Sequence, residues 1–281
     1  EWRLRSGMPS RWTVDYAYEG MRLRMRLGLT SFKHVGLFPE QAANWNFIYD
    51  NCRALASGGA AAMGIAGGKA PDAMPATTAP AGAPATTASE GVLSGAAPKG
   101  RTAPRKPVTP RVLNLFAYTG GASLAARAAG AETTHVDSVK QVVTWSRENM
   151  ELSGLDGIRW IVEDALKFVR REVRRGSRYN GIILDPPAFT KSRRTANNAE
   201  KGYKEINLRA MRLLPRGGYL ATASCSHFMP AERFERMLRS AAADAGVELR
   251  QIEARTQSCD HPILWNVPET DYLKFYLFQV V

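Results

Sequence analysis

The sequence predicts an α/β protein with a mostly parallel sheet covered by helices on both faces. From Arg111 onward, short apolar runs alternate with amphipathic segments of about 10 to 15 residues, which indicates successive βαβ units. The chain of 281 residues is 44% hydrophobic, enough for one full-sized domain with a sizeable core and an accessory element. No internal repeat with a period of about 20 to 50 residues appears, so a solenoid or propeller is not expected.

Each element of this domain has its own sequence signal. Apolar runs predict five successive strands, namely VLNLFAY, THVD, RWIVED, YNGIILDPP and GGYLATASCS. The intervening helices are GGASLAARAAG, SVKQVVTWSRENMELSG, ALKFVRREVRRG and a segment through Lys201 to Leu214. A further helix, PAERFERMLRSAAADAG, precedes LRQIEARTQ and DYLKFYLFQVV, which we expect to finish the sheet as antiparallel strands.

Two regions precede this domain, which is expected to span residues 111–281. In residues 1–54, apolar residues alternate with arginines from Met21 to Leu27, which predicts a strand with one face on a core. Gly36 and Pro39 then predict a hairpin or loop, and a helix is expected from Gln41. Residues 55–110 are rich in Ala, Gly, Pro, Thr and Ser and predict a disordered insertion or linker, because they bury too little apolar surface to offset their ordering entropy.

The charge and the cysteine content restrict the partner and the compartment. The formal net charge of +12 and the pI near 9.9 favour an anionic partner, most commonly nucleic acid, with a general solubility bias as the alternative. Three cysteines without a CxxC pair argue against a disulfide framework and a zinc site, so no metal is expected and a cytoplasmic setting fits best. No apolar run reaches about 18 residues, which argues against a membrane span.

A glycine turn follows the first strand of the domain, at the sheet edge where open α/β sheets bind ligands. The turn contains Phe116, Tyr118, Thr119 and Gly120 and is expected to bring helix N–H groups close to a ligand. Glycine pairs also occur in plain turns, so this signal is weak by itself.

Two aspartates at neighbouring strand ends strengthen the signal for a nucleotide-like ligand. Asp137 ends the second strand, where a nucleotide-binding sheet places a carboxylate for ribose hydroxyls. Asp164 ends the third strand and is expected either to bond an adenine amino group or to cap the following helix. The GxGxxG spacing of a dinucleotide site is missing, so a nucleoside ligand without bridging phosphates, such as S-adenosylmethionine, suits the turn better.

The fourth strand ends in LDPPAF. Pro186 and Pro187 fix the backbone and remove two N–H donors, so the chain is expected to leave the sheet rigidly and to present Asp185 at the strand end. A purely structural turn is the alternative.

Six motifs follow in a characteristic order: NLFAYTGGASLAA, HVD, DPPAFTKS, KGYKEINLRAMRLL, GGYLATASCSH and SCDHPILWNVPETDYLK. Together they resemble the S-adenosylmethionine-dependent ribosomal RNA 5-methylcytosine methyltransferases of the large-subunit methyltransferase I type, over roughly residues 111–281. The resemblance implies a Rossmann-like class I methyltransferase domain with a mostly parallel seven-stranded sheet, and S-adenosylmethionine as cofactor.

The stretch GLFPEQAANW is similar to the segment that precedes the catalytic domain in this family. We therefore expect the N-terminal strand and helix element to pack near the cofactor mouth. The family's usual Asp-Gln-Arg reads Glu40, Gln41 and Ala42 here. The PUA-type RNA-binding domain with which the family begins does not appear in this sequence, which fits a shortened chain or a divergent branch.

The resemblance also implies a cysteine nucleophile. Carbon 5 of cytosine is a poor nucleophile, and a thiolate that adds at carbon 6 makes it reactive toward a methyl donor. Cys225 and Asp185 end adjacent strands, about 5 Å apart, and are expected to act as nucleophile and as hydrogen-bonding acid near ring nitrogen 3. Without the neighbouring DPP turn, Cys225 would be interpreted as a packing residue. His227 and a water are both candidates for the base.

RNA contact is expected around the loop after the DPP turn. Lys191 is expected at the pocket mouth, where a cation would assist the thiolate and meet backbone phosphates. Phe189 or Tyr203 is expected to pack against the target base, next to Pro186 and Pro187. The basic helix ALKFVRREVRRG either contacts RNA or is a solvated charged face.

Two other functions stay open at this point. An amino-directed methyltransferase would hold an exocyclic amine with the carbonyls of the DPP turn and would not need the thiol of Cys225. A noncatalytic RNA-binding factor would keep the fold without binding S-adenosylmethionine. Replacement of Cys225 and measurement of cofactor binding separate the three hypotheses.

Overall fold

The computed structural model describes residues 6–30, 34–57, 108–189, 196–258 and 261–281. An N-terminal element comes first and consists of the antiparallel strands β1, Arg11–Tyr18, and β2, Met21–Gly28, followed by a 3₁₀ turn at Pro39–Gln41 and helix α1, Ala42–Ala56. Helix α1 thus extends two residues into the predicted insertion. Residues 58–107 lie outside the described part of the chain, so the disordered insertion stays a prediction.

The rest of the described chain alternates strands and helices as predicted. The elements are β3 Arg111–Leu115, α2 Gly121–Ala128, β4 Glu132–Asp137, α3 Lys140–Leu152, β5 Arg159–Val162, α4 Ala165–Arg174, β6 Gly181–Leu184, α5 Ala196–Arg212, β7 Tyr219–Ser224, α6 Ala231–Ala245, β8 Leu249–Arg255 and β9 Lys274–Val280. A 3₁₀ turn at Pro268–Thr270 lies between the last two strands.

The seven strands β3 to β9 form one sheet in the order β5-β4-β3-β6-β7-β9-β8. All pairs from β5 to β7 are parallel, whereas β9 runs antiparallel to both of its neighbours, so β8 points the same way as β7. This confirms the predicted mostly parallel sheet and corrects one detail, since β9 alone is reversed. The strand order changes direction between β3 and β6, and such a switch point is where open α/β sheets bind ligands.

The core has two layers because the central strands are buried on both faces. Leu113 and Leu115 of β3 pack with α4, α5 and α6 on one face, while Val112 packs on the other with α1, α2 and the β1–β2 hairpin. The N-terminal element therefore shares a hydrophobic core with the sheet. In the described ranges, no helix is long and apolar enough to cross a bilayer.

The alternating pattern of β2 explains how the hairpin joins this core. Met21, Leu23 and Met25 are buried, and the arginines between them face outward, where Arg24 pairs with Asp15 at 2.7 Å. Strand β1 was not predicted, and its side chains alternate between exposed and half-buried.

Candidate active site

The turn between β3 and α2 has an unusual backbone. Phe116 and Tyr118 have positive φ angles of 57° and 47°, and Gly120 has φ of 97° immediately before α2. The left-handed region is sparsely populated by residues with side chains, and such conformations persist where the surroundings enforce them. The predicted cofactor turn is thus a constrained loop rather than a plain turn.

A directional chain of buried hydrogen bonds holds this loop from below. The hydroxyl of Ser146 donates to the carbonyl oxygen of Tyr118 at 2.5 Å, so it accepts from Nε2 of His135 at 3.3 Å. The other ring nitrogen of His135 accepts from the hydroxyl of Ser123 at 3.0 Å, which in turn accepts from the amide of Asn114 at 2.9 Å. Burial lowers the pKa of His135 to about 3, so the ring is neutral at physiological pH.

The carboxylate of Asp137 fixes the same loop from the end of β4. Its Oδ2 accepts from the backbone N–H of Tyr118 at 3.0 Å, and its Oδ1 accepts from the N–H of Val139 at 2.9 Å. An ionised carboxylate has about four acceptor sites. Two backbone bonds therefore leave room for the ribose hydroxyls that the sequence predicts at this residue.

Thr119 ties the loop to the N-terminal element. Its hydroxyl donates to the carbonyl oxygen of Gly36 at 2.7 Å, and its own carbonyl accepts from the amide of Asn149 at 3.0 Å. The buried side chain of Thr119 therefore has a structural contact in addition to its position on the predicted cofactor turn.

Asp164 is the N-cap of α4. Its Oδ1 accepts from the backbone N–H of Lys167 at 2.8 Å. The capping role that the sequence offered as one alternative is confirmed, while contact with an adenine stays a prediction.

A cleft opens above the loop and combines both parts of the chain. The loop and the first turn of α2 form one wall, and the strand ends contribute Asp185. The N-terminal element forms the opposite wall with Leu37, Phe38, Gln41, Asn44, Trp45 and Ile48. This placement confirms that the N-terminal element packs near the predicted cofactor mouth. Apolar and aromatic walls with polar groups at the ends fit a nucleoside that carries a flexible amino-acid tail.

Asp185 follows β6 and faces the N-terminal element. The amide Nε2 of Gln41 donates to its Oδ2 at 2.8 Å. Burial raises the pKa of Asp185 to about 7, and the nearby carboxylate of Glu40 adds to the increase. Asp185 can therefore hold or release a proton near neutral pH.

Cys225 follows β7, beside the DPP turn. Its half-buried Sγ lies 3.9 Å from the carbonyl oxygen of Pro186. Burial raises the pKa of the thiol, and Asp185 adds to the increase, while the ammonium of Lys274 acts in the opposite direction. The structure thus brings Cys225 next to the DPP turn, as the strand ends predict.

Lys274 is the cation that sequence reasoning missed. At the start of β9, its Nζ donates to the carbonyl oxygens of Ser226 and Tyr272, both at 2.7 Å, and burial lowers its pKa. It lies in the motif DYLK, which belongs to the resemblance, but no local sequence pattern indicates its proximity to the thiol. The cation predicted for this role, Lys191, lies outside the described residues.

The aromatic residues expected to meet the target base are placed differently from one another. The ring of Phe189 is 36% exposed, whereas Tyr203 has no exposed surface. The ring of Tyr203 lies 4.6 Å from that of Phe189 and 5.7 Å from that of Phe234, and its hydroxyl accepts from Ser224 at 3.2 Å. The prediction that Tyr203 packs against the base is therefore wrong for this structure, because the ring is enclosed and supports Phe189 from behind. Of the two prolines, Pro186 is buried and Pro187 exposed.

The remaining candidates give a mixed result. His227 is exposed, with its ring 6.3 Å from that of Tyr272, so its role as base stays a prediction.

In the basic helix α4, Arg170 pairs with Glu205 at 3.2 Å and Arg171 with Glu163 at 2.6 Å. These ion pairs favour the solvated charged face over an RNA-binding surface.

Comparisons with known proteins bear on the family and the fold of the chain. The family model of S-adenosylmethionine-dependent methyltransferases matches residues 99–273. The ribosomal RNA large subunit methyltransferase I of Klebsiella pneumoniae (strain 342) is 37% identical over 174 residues, which cover 61% of this chain and 44% of that protein. The matched part is thus less than half the length of this relative.

Two solved structures share the fold over nearly the whole chain. A putative methyltransferase complexed with SAH superimposes with a TM-score of 0.68 at 18% identity, covering 99% of this chain and 58% of the other. An S-adenosylmethionine-dependent methyltransferase from Agrobacterium tumefaciens has a TM-score of 0.64 at 24% identity, covering 99% and 73%. The family match over residues 99–273 shows that the chain belongs to the S-adenosylmethionine-dependent methyltransferase family, and the solved structures share its fold.

Proposed function

We propose that this enzyme methylates carbon 5 of a cytosine in large-subunit ribosomal RNA through a covalent adduct with Cys225. The observation that carries the proposal is the thiol of Cys225 beside the DPP turn, 3.9 Å from the carbonyl oxygen of Pro186 and next to a carboxyl group that titrates near neutral pH. Relatives of similar sequence are named as ribosomal RNA large subunit methyltransferase I, which supports the substrate class.

The residues of the cleft fit S-adenosylmethionine. We assign the nucleoside to the loop of Phe116, Tyr118, Thr119 and Gly120, with Asp137 at the ribose hydroxyls. Asp164 and Asp185 complete the predicted set, at the adenine and at the reacting end. When bound, the cofactor supplies an electrophilic methyl group on a sulfonium.

The thiolate of Cys225 adds to carbon 6 of the cytosine, which makes carbon 5 nucleophilic. The thiol first loses its proton to solvent; a bond then forms between Sγ and carbon 6, and the electron pair of the ring double bond becomes available at carbon 5. The resting site disfavours the thiolate because the thiol is buried and Asp185 lies nearby. Once Asp185 is neutral, this negative charge is gone and the ammonium of Lys274 stabilises the thiolate.

The carboxyl group of Asp185 holds the proton at ring nitrogen 3. A neutral carboxyl donates a hydrogen bond to the ring nitrogen, and the two share this proton as negative charge develops there. After methyl transfer, a base removes the proton from carbon 5 and Sγ leaves carbon 6, which restores the aromatic ring and the enzyme. A water or His227 supplies this base.

RNA is the substrate that the surface charge favours. The net charge of +12 attracts a polyanion. The exposed side chain of Phe189 follows the DPP turn, where it would pack against the extruded base. Pro187 is exposed on the same turn, while Lys191 would meet the phosphates. Residues 55–110 would then be a linker between the N-terminal element and the catalytic domain, and ribosomal RNA as substrate would place the enzyme in the cytoplasm.

Mass-spectrometric mapping of ribosomal RNA tests the substrate. Cells with and without the protein are compared, and we expect one 5-methylcytosine of the large-subunit RNA to disappear in its absence. An unchanged modification profile would refute the assigned substrate.

A covalent trap tests the mechanism separately. RNA that carries 5-fluorocytidine cannot lose the carbon-5 substituent, so we expect a protein–RNA adduct that survives denaturation and that Cys225→Ala abolishes. Methyl transfer that continues at full rate in Cys225→Ala would instead support amino-directed methylation at the carbonyls of the DPP turn.

A further inference from the structure

A directional hydrogen-bond relay runs from β8 through α1 to the reactive carboxyl group. Nη1 of Arg255 lies 3.3 Å from Oδ1 of Asn44, Nδ2 of Asn44 lies 2.6 Å from Oε1 of Gln41, and Nε2 of Gln41 lies 2.8 Å from Oδ2 of Asp185. Three side chains, from β8, α1 and the 3₁₀ turn before α1, thus connect the far edge of the sheet to Asp185.

The chemistry of Arg255 fixes the direction of every bond in this relay. A guanidinium only donates, so the atom of Asn44 that faces it must be the amide oxygen. The NH₂ group of Asn44 then faces Gln41 and requires the amide oxygen of Gln41 as acceptor. The NH₂ group of Gln41 is left to face Asp185. Arg255 is itself held by the carbonyl oxygen of Ala43 at 3.0 Å.

We propose that Gln41, oriented by Asn44 and Arg255, is a positioning residue that fixes which oxygen of Asp185 carries the catalytic proton. The amide N–H of Gln41 can only donate, so Oδ2 of Asp185 is always the acceptor. In the neutral carboxyl group this donor favours the proton on Oδ1, because the carbonyl oxygen is the stronger acceptor, and Oδ1 is then the oxygen that we assign to the substrate. This inference rests on the proposed function for its catalytic meaning, but the relay itself does not depend on RNA.

The other charged and titratable groups around Asp185 do not provide this orientation. Glu40 adjoins Gln41 in the same turn, raises the pKa of Asp185 and accepts from the hydroxyl of Tyr272 at 3.1 Å. Cys225 and Tyr203 are close enough for their own pKa values to be raised by Asp185. Lys274 acts on Cys225. In the part of the chain that the structure describes, Gln41 donates a hydrogen bond to the carboxylate of Asp185.

Carboxyl titration of the full chain tests the relay directly. With ¹³C-labelled aspartate and Asp185→Asn to assign the resonance, we expect Asp185 to titrate near pH 7 in the wild type. Gln41→Met keeps the length of the side chain but removes the donor to the carboxylate, so the midpoint should rise by about one pH unit. Gln41→Glu should raise it further, because two carboxylates then face each other.

Asn46→Leu is the matched control. Asn46 lies on α1, as Asn44 does, but accepts a hydrogen bond from the hydroxyl of Tyr16 at 2.8 Å, away from the relay. We expect the midpoint of Asp185 to stay at its wild-type value in this variant. An unchanged midpoint in Gln41→Met, or an equal shift in Asn46→Leu, would overturn the relay.

Methyl-transfer kinetics then test its catalytic meaning. If neutral Asp185 is required, the alkaline limb of the kcat profile should move to higher pH in Gln41→Met, together with a fall in kcat of about tenfold. Arg255→Lys, which keeps a pure donor, should retain the wild-type pH profile. If the titration of Asp185 shifts in Gln41→Met but the enzyme does not methylate cytosine, the relay stands and only the proposed reaction is refuted. If the titration shifts but the alkaline limb of the kcat profile does not, the catalytic role of Gln41 is overturned.

Discussion

The two halves of the cleft are built by different means. On the proposed cofactor half, side chains hold the chain through its backbone groups, since Asp137 accepts from two backbone N–H groups, Asp164 accepts from one, and Ser146 and Asn149 donate to backbone carbonyls of the loop. On the reactive half, side chains from distant parts of the sequence hold one another, as when Gln41 bonds Asp185 across 144 residues of sequence.

This difference determines which half tolerates substitution of single side chains and which half depends on them. A backbone donor survives almost any substitution at its own residue, so the cofactor half depends on the path of the chain. The reactive half depends on individual side chains that bury a thiol and a carboxyl group and change their pKa values. We therefore expect substitutions to divide into those that change stability or cofactor binding and those that change the rate alone.

The largest effect is expected from a substitution in the reactive half that leaves the cofactor half unchanged. Cys225 is the proposed nucleophile, so Cys225→Ala should lower methyl transfer by on the order of 10³-fold or more. Calorimetry should show unchanged affinity for S-adenosylmethionine. The control is Cys52→Ala, since Cys52 is fully buried against the hydroxyl of Tyr219 and should affect stability but not the rate. Equal rate losses in both variants would contradict the division.

A second substitution disturbs the cofactor half through the chain path. A Cβ at Gly121 would lie 2.5 Å from the ring of Trp45, so Gly121→Ala must displace α1. We expect a loss of about 1 to 3 kcal/mol in the free energy of unfolding, measured with urea, and weaker cofactor binding. Gly202→Ala is the control, because its Cβ would make ordinary contact with Phe189 at 3.5 Å. A Gly121→Ala protein as stable as the wild type would show that Trp45 yields easily.

Acid should lower the free energy of unfolding through His135, which supports the loop between β3 and α2. Its folded pKa of about 3 lies below the unfolded value of 6.5, so the unfolded chain takes up the proton first as the pH falls. Stability is therefore fully present above pH 6.5 and decreases below it, by up to about 2 kcal/mol at pH 5. Urea unfolding of the wild type and of His135→Gln between pH 5 and pH 7 measures the difference. Parallel pH dependences in the two proteins would refute this contribution.

The smallest expected effect concerns the N-cap of α4. Asp164→Ala should cost about 1 kcal/mol of stability, and Asp164→Asn should retain most of it, because either side-chain oxygen accepts from the N–H of Lys167. Cofactor affinity measured in parallel decides the second role. A loss of affinity in Asp164→Asn without a loss of stability would support contact with the adenine.

The sheet could be predicted because its signals are local. Each strand from β3 to β7 is a short apolar run next to a periodic helix, and Asp137 and Asp185 simply follow strand ends. The proximity of Cys225 to Asp185 could be predicted because they follow β7 and β6, neighbouring parallel strands that end at the same edge of the sheet. Strand β1 was missed although RWTVDYAY alternates polar residues with Trp12, Val14, Tyr16 and Tyr18, a detectable signal of the same kind as the one that predicts β2.

Long-range contacts explain the other gaps. The bond between Gln41 and Asp185 and the approach of Lys274 to Cys225 join elements that no local pattern connects. The position of Tyr203 could not be predicted, because an aromatic residue in a motif near the DPP turn looks the same in the sequence whether its ring faces the base or, as here, the core.

The half-covered thiol of Cys225 has a consequence for the lifetime of the enzyme. Oxidants and alkylating agents react with the thiolate, and burial together with Asp185 keeps this group in its neutral form while the site is at rest. A buried, neutral thiol is expected to react slowly with peroxide and with stray electrophiles. If Cys225 is the nucleophile, as proposed, the same burial protects it while no substrate is bound.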